Sequence, residues 1–185
     1  MTTDKTTDKR TDKRTGKRTD EATDRTYSDV RLRPVLDDDL ELFLAYEHDA
    51  EAVRRSRFTP RPREAFLKHW RERVLGDPTG RVRTVLVDGE VAGNIVAWWD
   101  GERRFTGYWL GRAYWGSGVG SRAFTLFLQE ETVRPLYADP SAENTASVRL
   151  LEKNGFVPYG DPEHSVDEEG FVLLVLGGGG SPDAS

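Results

Sequence analysis

Apolar residues recur along the chain with a period of two in some segments and near 3.6 in others, and the switches divide it into strands and helices. Val30-Arg31-Leu32-Arg33-Pro34 alternates apolar with polar and stops at proline, as a half-buried strand does. Asp37-Asp38-Asp39 opens an amphipathic helix carrying Leu40, Phe43, Leu44 and Glu47, with acids in the first turn where the helix dipole favours them. A second helix runs from about Pro62 to Leu75 and is stopped by Gly76-Asp77-Pro78. Three strands follow, Arg83 to Val87, Val91 to Trp99 and Arg104 to Leu110, joined by Asp88-Gly89 and Asp100-Gly101. Asp-Gly between apolar runs is a strong hairpin signal, so these three form an antiparallel meander.

The second half repeats both patterns. Val119 to Glu131 reads as a helix with Phe124, Phe127 and Leu128 facing inward, and Val133 to Ala138 as a buried strand, broken by Pro135 and stopped by Asp139-Pro140. A helix from about Thr145 to Asn154 ends at Asn154-Gly155, a pair suited to a left-handed stop. Phe156 to Tyr159 and Phe171 to Leu176 supply two more strands. The fold class is α/β of mixed type: a mostly antiparallel sheet of about six or seven strands, flanked by about four helices.

Polar excess is concentrated at the start. From Thr3 to Thr26 a Thr-Asp-Lys-Arg motif repeats without a large apolar side chain after Met1, which predicts a disordered tail over residues 1–26. The remaining organisation is one domain over residues 27–176 and a flexible end over 177–185. The tail holds eight basic and six acidic residues, leaving nineteen basic against twenty-six acidic in the rest, a net charge of −7. That balance argues against nucleic acid as a partner and suits a cationic or amine substrate. Zero cysteines exclude disulfides, a thiol nucleophile and thiolate metal sites, and with three scattered histidines no metal is expected. No apolar run reaches membrane-span length and the start lacks a signal-peptide core, so the expectation is a cytoplasmic protein, as a monomer or homodimer.

The chemistry begins at Gly116-Ser117-Gly118-Val119-Gly120, between the strand ending at Leu110 and a helix start. Alternating glycines let backbone N–H groups approach a ligand, and a helix N-terminus adds unpaired donors, so the segment reads as a cradle for a phosphate or pyrophosphate. A Walker loop would need Gly-Lys before Ser or Thr, whereas Gly120 is followed by Ser121-Arg122. A dinucleotide fingerprint would need glycine where Ser121 stands, and the preceding meander is not a βαβ unit.

Two blocks resemble the GNAT acetyltransferase superfamily. One is Gly107-Tyr108-Trp109-Leu110 leading into Tyr114-Trp115-Gly116-Ser117-Gly118-Val119-Gly120; the other is Asn144-Thr145-Ala146-Ser147-Val148-Arg149-Leu150-Leu151-Glu152-Lys153-Asn154-Gly155-Phe156. The Tyr-Trp-Gly wording and the Asn-x-x-Ser helix start look like the branch that acetylates ribosomal-protein N-termini. The resemblance covers about residues 29–176 and implies acetyl-CoA as co-substrate. It implies that the strand ending at Leu110 splays from the one ending at Ala138, with the pantetheine arm in the gap against backbone groups of Trp109 and Leu110. The pyrophosphate would rest on Gly116, Ser117, Gly118, Val119 and Gly120, with Ser121 at the helix start. Asn144 and Ser147 would face the pantetheine and thioester, and Lys153 the nucleotide end; plain helix capping also accounts for Asn144 and Ser147, and a solvated surface position for Lys153. Trp115 stands where many relatives place Arg or Gln, which removes one polar contact to the co-substrate.

The implied reaction is direct attack of an amine on the acetyl thioester, with no covalent enzyme intermediate. Many relatives place an acidic tyrosine at the position of Leu151; Ser147, one turn away, is its replacement here. Asp139 is the candidate base at the splayed strand's end, with Asp100, Glu102, Glu163 and His164 as alternatives, each of which a turn also explains. A lysine-type amine with pKa about 10.4 loses roughly 4 kcal/mol in becoming neutral near pH 7, while an α-amine near 8 loses little, so a site without a strong base leans toward α-amines or low-pKa amines. Trp98, Trp99, Tyr108, Trp109, Tyr114 and Trp115 gather around the cleft, where strand alternation puts one of Trp98 and Trp99 in the core. A non-catalytic acyl-CoA-binding module is the alternative function, and a nucleotide-dependent oxidoreductase a third.

Overall fold

Alternation in the meander and the apolar stripes of the helices produce one seven-stranded sheet in the computed structural model, which describes residues 27–160 and 166–177. The elements are β1 (Val30–Arg33), α1 (Asp39–Glu47), α2 (Ala50–Ser56), α3 (Arg63–His69), β2 (Arg81–Val87), β3 (Glu90–Asp100), β4 (Arg103–Leu110), α4 (Val119–Glu130), β5 (Leu136–Ala138), α5 (Thr145–Lys153), β6 (Val157–Pro158) and β7 (Leu174–Leu176). The sheet order is β1-β2-β3-β4-β5-β7-β6, antiparallel except for β4 beside β5. The Asp88-Gly89 turn has both residues at positive φ, 49° and 90°, as a two-residue hairpin of this hand requires.

Each face of the sheet carries its own core. On one face α4 and α5 bury Phe124, Phe127, Leu151 and Phe156 against Val85, Ile95 and Ala97; Phe124 meets Phe156 edge-on at 5.9 Å. Burial of each such side chain stabilises the fold by about 1.5–3 kcal/mol. On the other face Leu40, Phe43, Phe66, Leu67 and Trp70 pack over Val82, Val91 and Val96. Of the three leading aspartates, Asp39 is the one turned inward: it takes two hydrogen bonds from Arg33 at 2.5 and 2.7 Å, one from the Leu36 N–H and one from the Thr84 hydroxyl. Burial opposes its ionisation, but these donors and the Arg33 charge win and hold its carboxyl below the ordinary range.

Several elements depart from the sequence reading. There are five helices among the described residues where about four were expected, because α2 is short, buries only Ala52 and shows no apolar stripe. Its signal is the cap: Asp49 accepts from the Glu51 and Ala52 N–H groups, both at 3.0 Å. The predicted helix from Pro62 to Leu75 is α3 followed by a π-helical turn, Trp70–Val74, closed by the Leu75 N–H on the Trp70 carbonyl at 2.8 Å. The predicted strand from Val133 begins only at Leu136, since Pro135 has no N–H for a ladder and the Val133 N–H bonds Glu131 instead. Phe171 and Val172 form isolated bridges ahead of β7, and Pro158 is tolerated because β6 is an edge strand. The proposed tail (1–26), the residues 178–185 of the proposed flexible end, and Glu163 and His164 lie outside the described residues.

Candidate active site

Parallel pairing of β4 with β5 covers two positions, Arg104 with Leu136 and Phe105 with Tyr137. At the closed end the Arg104 guanidinium, 4% exposed, donates to Glu131, 1% exposed, at 2.8 Å. From Thr106 onward β4 leaves β5 while staying paired with β3 as far as Leu110, so a wedge opens between them. The Gly111 N–H bonds the Ala92 carbonyl at 2.9 Å. Antiparallel alternation then turns the backbone groups of Tyr108 and Leu110 into the wedge and those of Trp109 toward β3. This corrects the expectation for Trp109, whose backbone is engaged with β3. Its side chain walls the cleft instead, with the indole N–H on the Tyr46 carbonyl at 2.7 Å.

The glycine turn stands at the wide end of the wedge. Gly116 and Gly118 have φ of 71° and 78°, and a Cβ on either would meet nothing within 4 Å, so the backbone above them is bare toward the cleft. Gly118 immediately precedes α4, whose first N–H groups face the same space. Gly120 has a different role: a Cβ there would come within 2.7 Å of Leu150 Cδ1 and 3.1 Å of Leu110 Cδ1, so this glycine lets α4 pack on α5 and β4. Val119 is fully buried and contributes backbone alone; the Ser117 hydroxyl donates to the Tyr114 carbonyl at 2.7 Å. Ser121 sits half-buried in the first turn of α4, at the cleft. Trp115 donates its indole N–H to the Leu110 carbonyl at 2.9 Å and lies under the Arg55 guanidinium, 4.8 Å from the ring centre. That leaves the Leu110 N–H as the group this residue offers to the wedge. The cradle fits a diphosphate: bare amides, positive φ at two glycines and a helix start.

Across the wedge, the Tyr108 phenol donates to Ser147 Oγ at 3.0 Å. Burial pushes the Tyr108 pKa up to about 12, the hydroxyl of Ser147 opposing it, so the phenol keeps its proton at physiological pH. Asn144 caps α5 by accepting from the Ser147 N–H at 3.3 Å, while still lining the cleft. Leu151 is core, 2% exposed. Lys153 is exposed in the last turn of α5. Asp139 stands just past β5 at the cleft and is an exposed residue; partial desolvation of its carboxyl, then the charges of Asp167 and Asp100, raise its pKa above the ordinary range.

The wedge opens beneath α1–α3 into a cleft of about 1100 Å³. Its walls include groups missed in the sequence reading. Glu47 is 9% exposed, accepts the Arg61 N–H at 3.2 Å, and has its pKa raised by burial against the opposing pull of Arg61 and His48. The readable signal was an acid on the stripe of Leu40 and Phe43, where apolar residues belong. His69 also lines the cleft; burial, then Arg61 and Arg73, hold its pKa down and its imidazole neutral. Trp98 and Trp99 are 37% and 44% exposed, so neither is a core residue: Trp98 stacks on Phe105 at 6.0 Å, and Arg104 lies over Trp99 at 5.4 Å.

The backbone arrangement has counterparts among solved structures. A domain from Methanocaldococcus jannaschii DSM 2661 superimposes with a TM-score of 0.66 at 17% identity, over 80% of this chain and 97% of that one. Aminoglycoside acetyltransferase AAC(6')-Ib in complex with coenzyme A gives 0.64 at 21% identity, over 80% and 95%. A GNAT-family acetyltransferase from Bacillus anthracis gives 0.64 at 17% identity, over 81% and 95%. No curated protein sequence matches the chain. Among the described residues no helix is long and apolar enough to cross a membrane. The acetyltransferase (GNAT) domain family matches residues 29–157, a span that holds the wedge, the cradle and α5, and the chain belongs to that family of acyltransferases.

Proposed function

We propose that the protein moves an acetyl group from acetyl-CoA to a primary amine, either a protein N-terminal α-amine of the kind the ribosomal-protein branch modifies or a small-molecule amine. The observation that carries this reading is the hydroxyl pair Tyr108–Ser147 placed in the wedge behind the glycine cradle. The solved structure of AAC(6')-Ib with coenzyme A and kanamycin, at TM-score 0.64, supports a two-ligand cleft.

When bound, acetyl-CoA supplies an activated carbonyl and a thiolate leaving group. Gly116 and Gly118, with the first amides of α4, hold the diphosphate; the Leu110 N–H and the Tyr108 backbone align the arm in the wedge. Ser147 accepts the Tyr108 hydrogen, so its own O–H is left to point at the sulfur. Proton transfer from a phenol at about 12 to a thiolate at about 8.5 runs uphill by about 5 kcal/mol, so Tyr108 keeps its proton and Ser147 acts as a hydrogen-bond donor to the developing negative charge. The amine forms the C–N bond as the C–S bond breaks. Asp139 takes the proton that the nitrogen sheds, its raised pKa bringing it nearer the acceptor's own. Lys153 meets the nucleotide end.

Calorimetric titration with CoA, followed by thiol release in the presence of acetyl-CoA and an amine panel, tests the reading. Micromolar CoA binding with amine-dependent release is the expected result. Binding with no release for any amine would assign the protein instead to non-catalytic acyl-CoA binding.

A further inference from the structure

Beside the glycine cradle stands a cation that the transfer chemistry leaves unused. Arg55 follows Ala52, the 6% exposed residue of α2, by three positions, so it leaves the helix on its inward face. There it lines the cleft together with Gly116, Gly118 and Ser121. Its side chain is 40% exposed, held by the protein yet open to a ligand.

The guanidinium is fixed on one edge and one face. Its Nε donates to Glu51 Oε1 at 2.7 Å. Trp115 covers a face, with its ring centre 4.8 Å away, and the ring is itself anchored by its indole N–H on the Leu110 carbonyl. Tryptophan is the best aromatic platform for a cation. Arg55 makes no other hydrogen bond among the described residues, so the edge bearing its two terminal nitrogens keeps its donors free. Glu51 does not cancel the charge, because the same carboxylate takes two bonds from Arg54, at 2.8 and 2.6 Å. Beyond the stack, a recess of about 260 Å³ lies between Arg54 and Arg55 and the residues Asn144, Thr145 and Ala146 at the start of α5. Glu143 borders that recess and forms no ion pair with either arginine among the described residues. Arg55 therefore stands between Trp115 and the start of α5, at the wide end of the wedge.

We propose that Arg55 binds the diphosphate of the co-substrate, adding a charged side chain from α2 to the backbone amides of the cradle. A guanidinium edge offers paired N–H groups that match two oxygens of a phosphate, and here the edge is oriented before the ligand arrives. The arrangement supplies from another helix the polar contact that Trp115 removes from the glycine segment, and the tryptophan becomes the platform for its replacement. The inference rests on the acetyl-CoA reading above and extends it to a residue outside both motifs.

The test is calorimetric titration of the full chain with CoA and with dephospho-CoA, which keeps the diphosphate and lacks the 3′-phosphate. In Arg55→Gln the Kd should rise about tenfold for both ligands, and the gap from wild type should narrow at high salt, where a lost charge matters less. Glu51→Gln breaks the same Arg55–Glu51 pair but removes a negative charge, so it should lower the Kd for both ligands. Opposite signs in the two variants are what a purely structural role of the pair would not produce. An unchanged Kd in Arg55→Gln, or weaker binding in both variants, overturns the inference and leaves the acetyl-CoA reading intact. Weaker binding of CoA with dephospho-CoA unaffected overturns it as well, by moving the contact to the 3′-phosphate. Absence of CoA binding by the wild-type protein overturns the acetyl-CoA reading and the inference with it.

Discussion

Four residues of β4 separate two opposite solutions to the same contact. At Arg104 the strand is bound to its neighbour by ladder pairing and by a buried ion pair with Glu131, which also accepts the Val133 N–H at 3.1 Å. At Tyr108 the neighbouring strand has gone, and what faces the gap is a phenol, a serine hydroxyl and uncommitted backbone. The closed end has its charges matched within the protein; the open end leaves groups for a ligand to match. The closed end therefore positions the open one, which is how a preorganised site is built.

The comparison breaks most severely at the closed end. Glu131→Gln leaves Arg104 charged and buried without a counter-ion and is expected to cost about 3–5 kcal/mol. Thermal unfolding should show a Tm drop on the order of 10 °C for a chain of this size. At the open end, on the proposed mechanism, Ser147→Ala removes the donor to the leaving sulfur: kcat should fall by about 10²-fold with CoA affinity unchanged in titration, and Tyr108→Phe should give a smaller loss of the same kind. Gly118→Val forces a β-branched residue into a left-handed backbone at about 1–2 kcal/mol, so the amides are re-aimed and the Kd for CoA should rise about tenfold. The smallest effect is on pH dependence. As the proposed base, Asp139 would have to be ionised to accept a proton, and its pKa is raised, so kcat/KM should fall as pH drops through that raised value. Asp100→Asn removes one of the charges that raise it and should move the acid limb of the kcat/KM profile to lower pH.

What the sequence made legible follows the same division. The meander, the glycine turn and α5 are local: Asp-Gly turns, alternation and a capped helix each encode themselves within a dozen residues. The wedge itself is non-local and was reached through the family resemblance, since nothing within β4 or β5 alone says where their pairing ends. Tyr108 was visible as an aromatic, but its partnership with Ser147 spans 39 residues. Glu47 and His69 acquire their meaning only when α1 and α3 fold over β3 and β4. Alternation misjudged Trp98 and Trp99 because it assumes that one sheet face is covered at that height, whereas both rings stay more than a third exposed.

The Tyr46–Trp109 link carries a kinetic consequence. The carbonyl of Tyr46 holds the Trp109 indole of β4, and its hydroxyl donates to the Val91 carbonyl of β3 at 2.8 Å, so on the proposed reading the wall that would meet the acceptor is fastened to β4, the strand that would meet CoA. Neither ligand has to assemble the pocket of the other. Initial-rate patterns should accordingly show either one arriving first, with no compulsory sequence of addition.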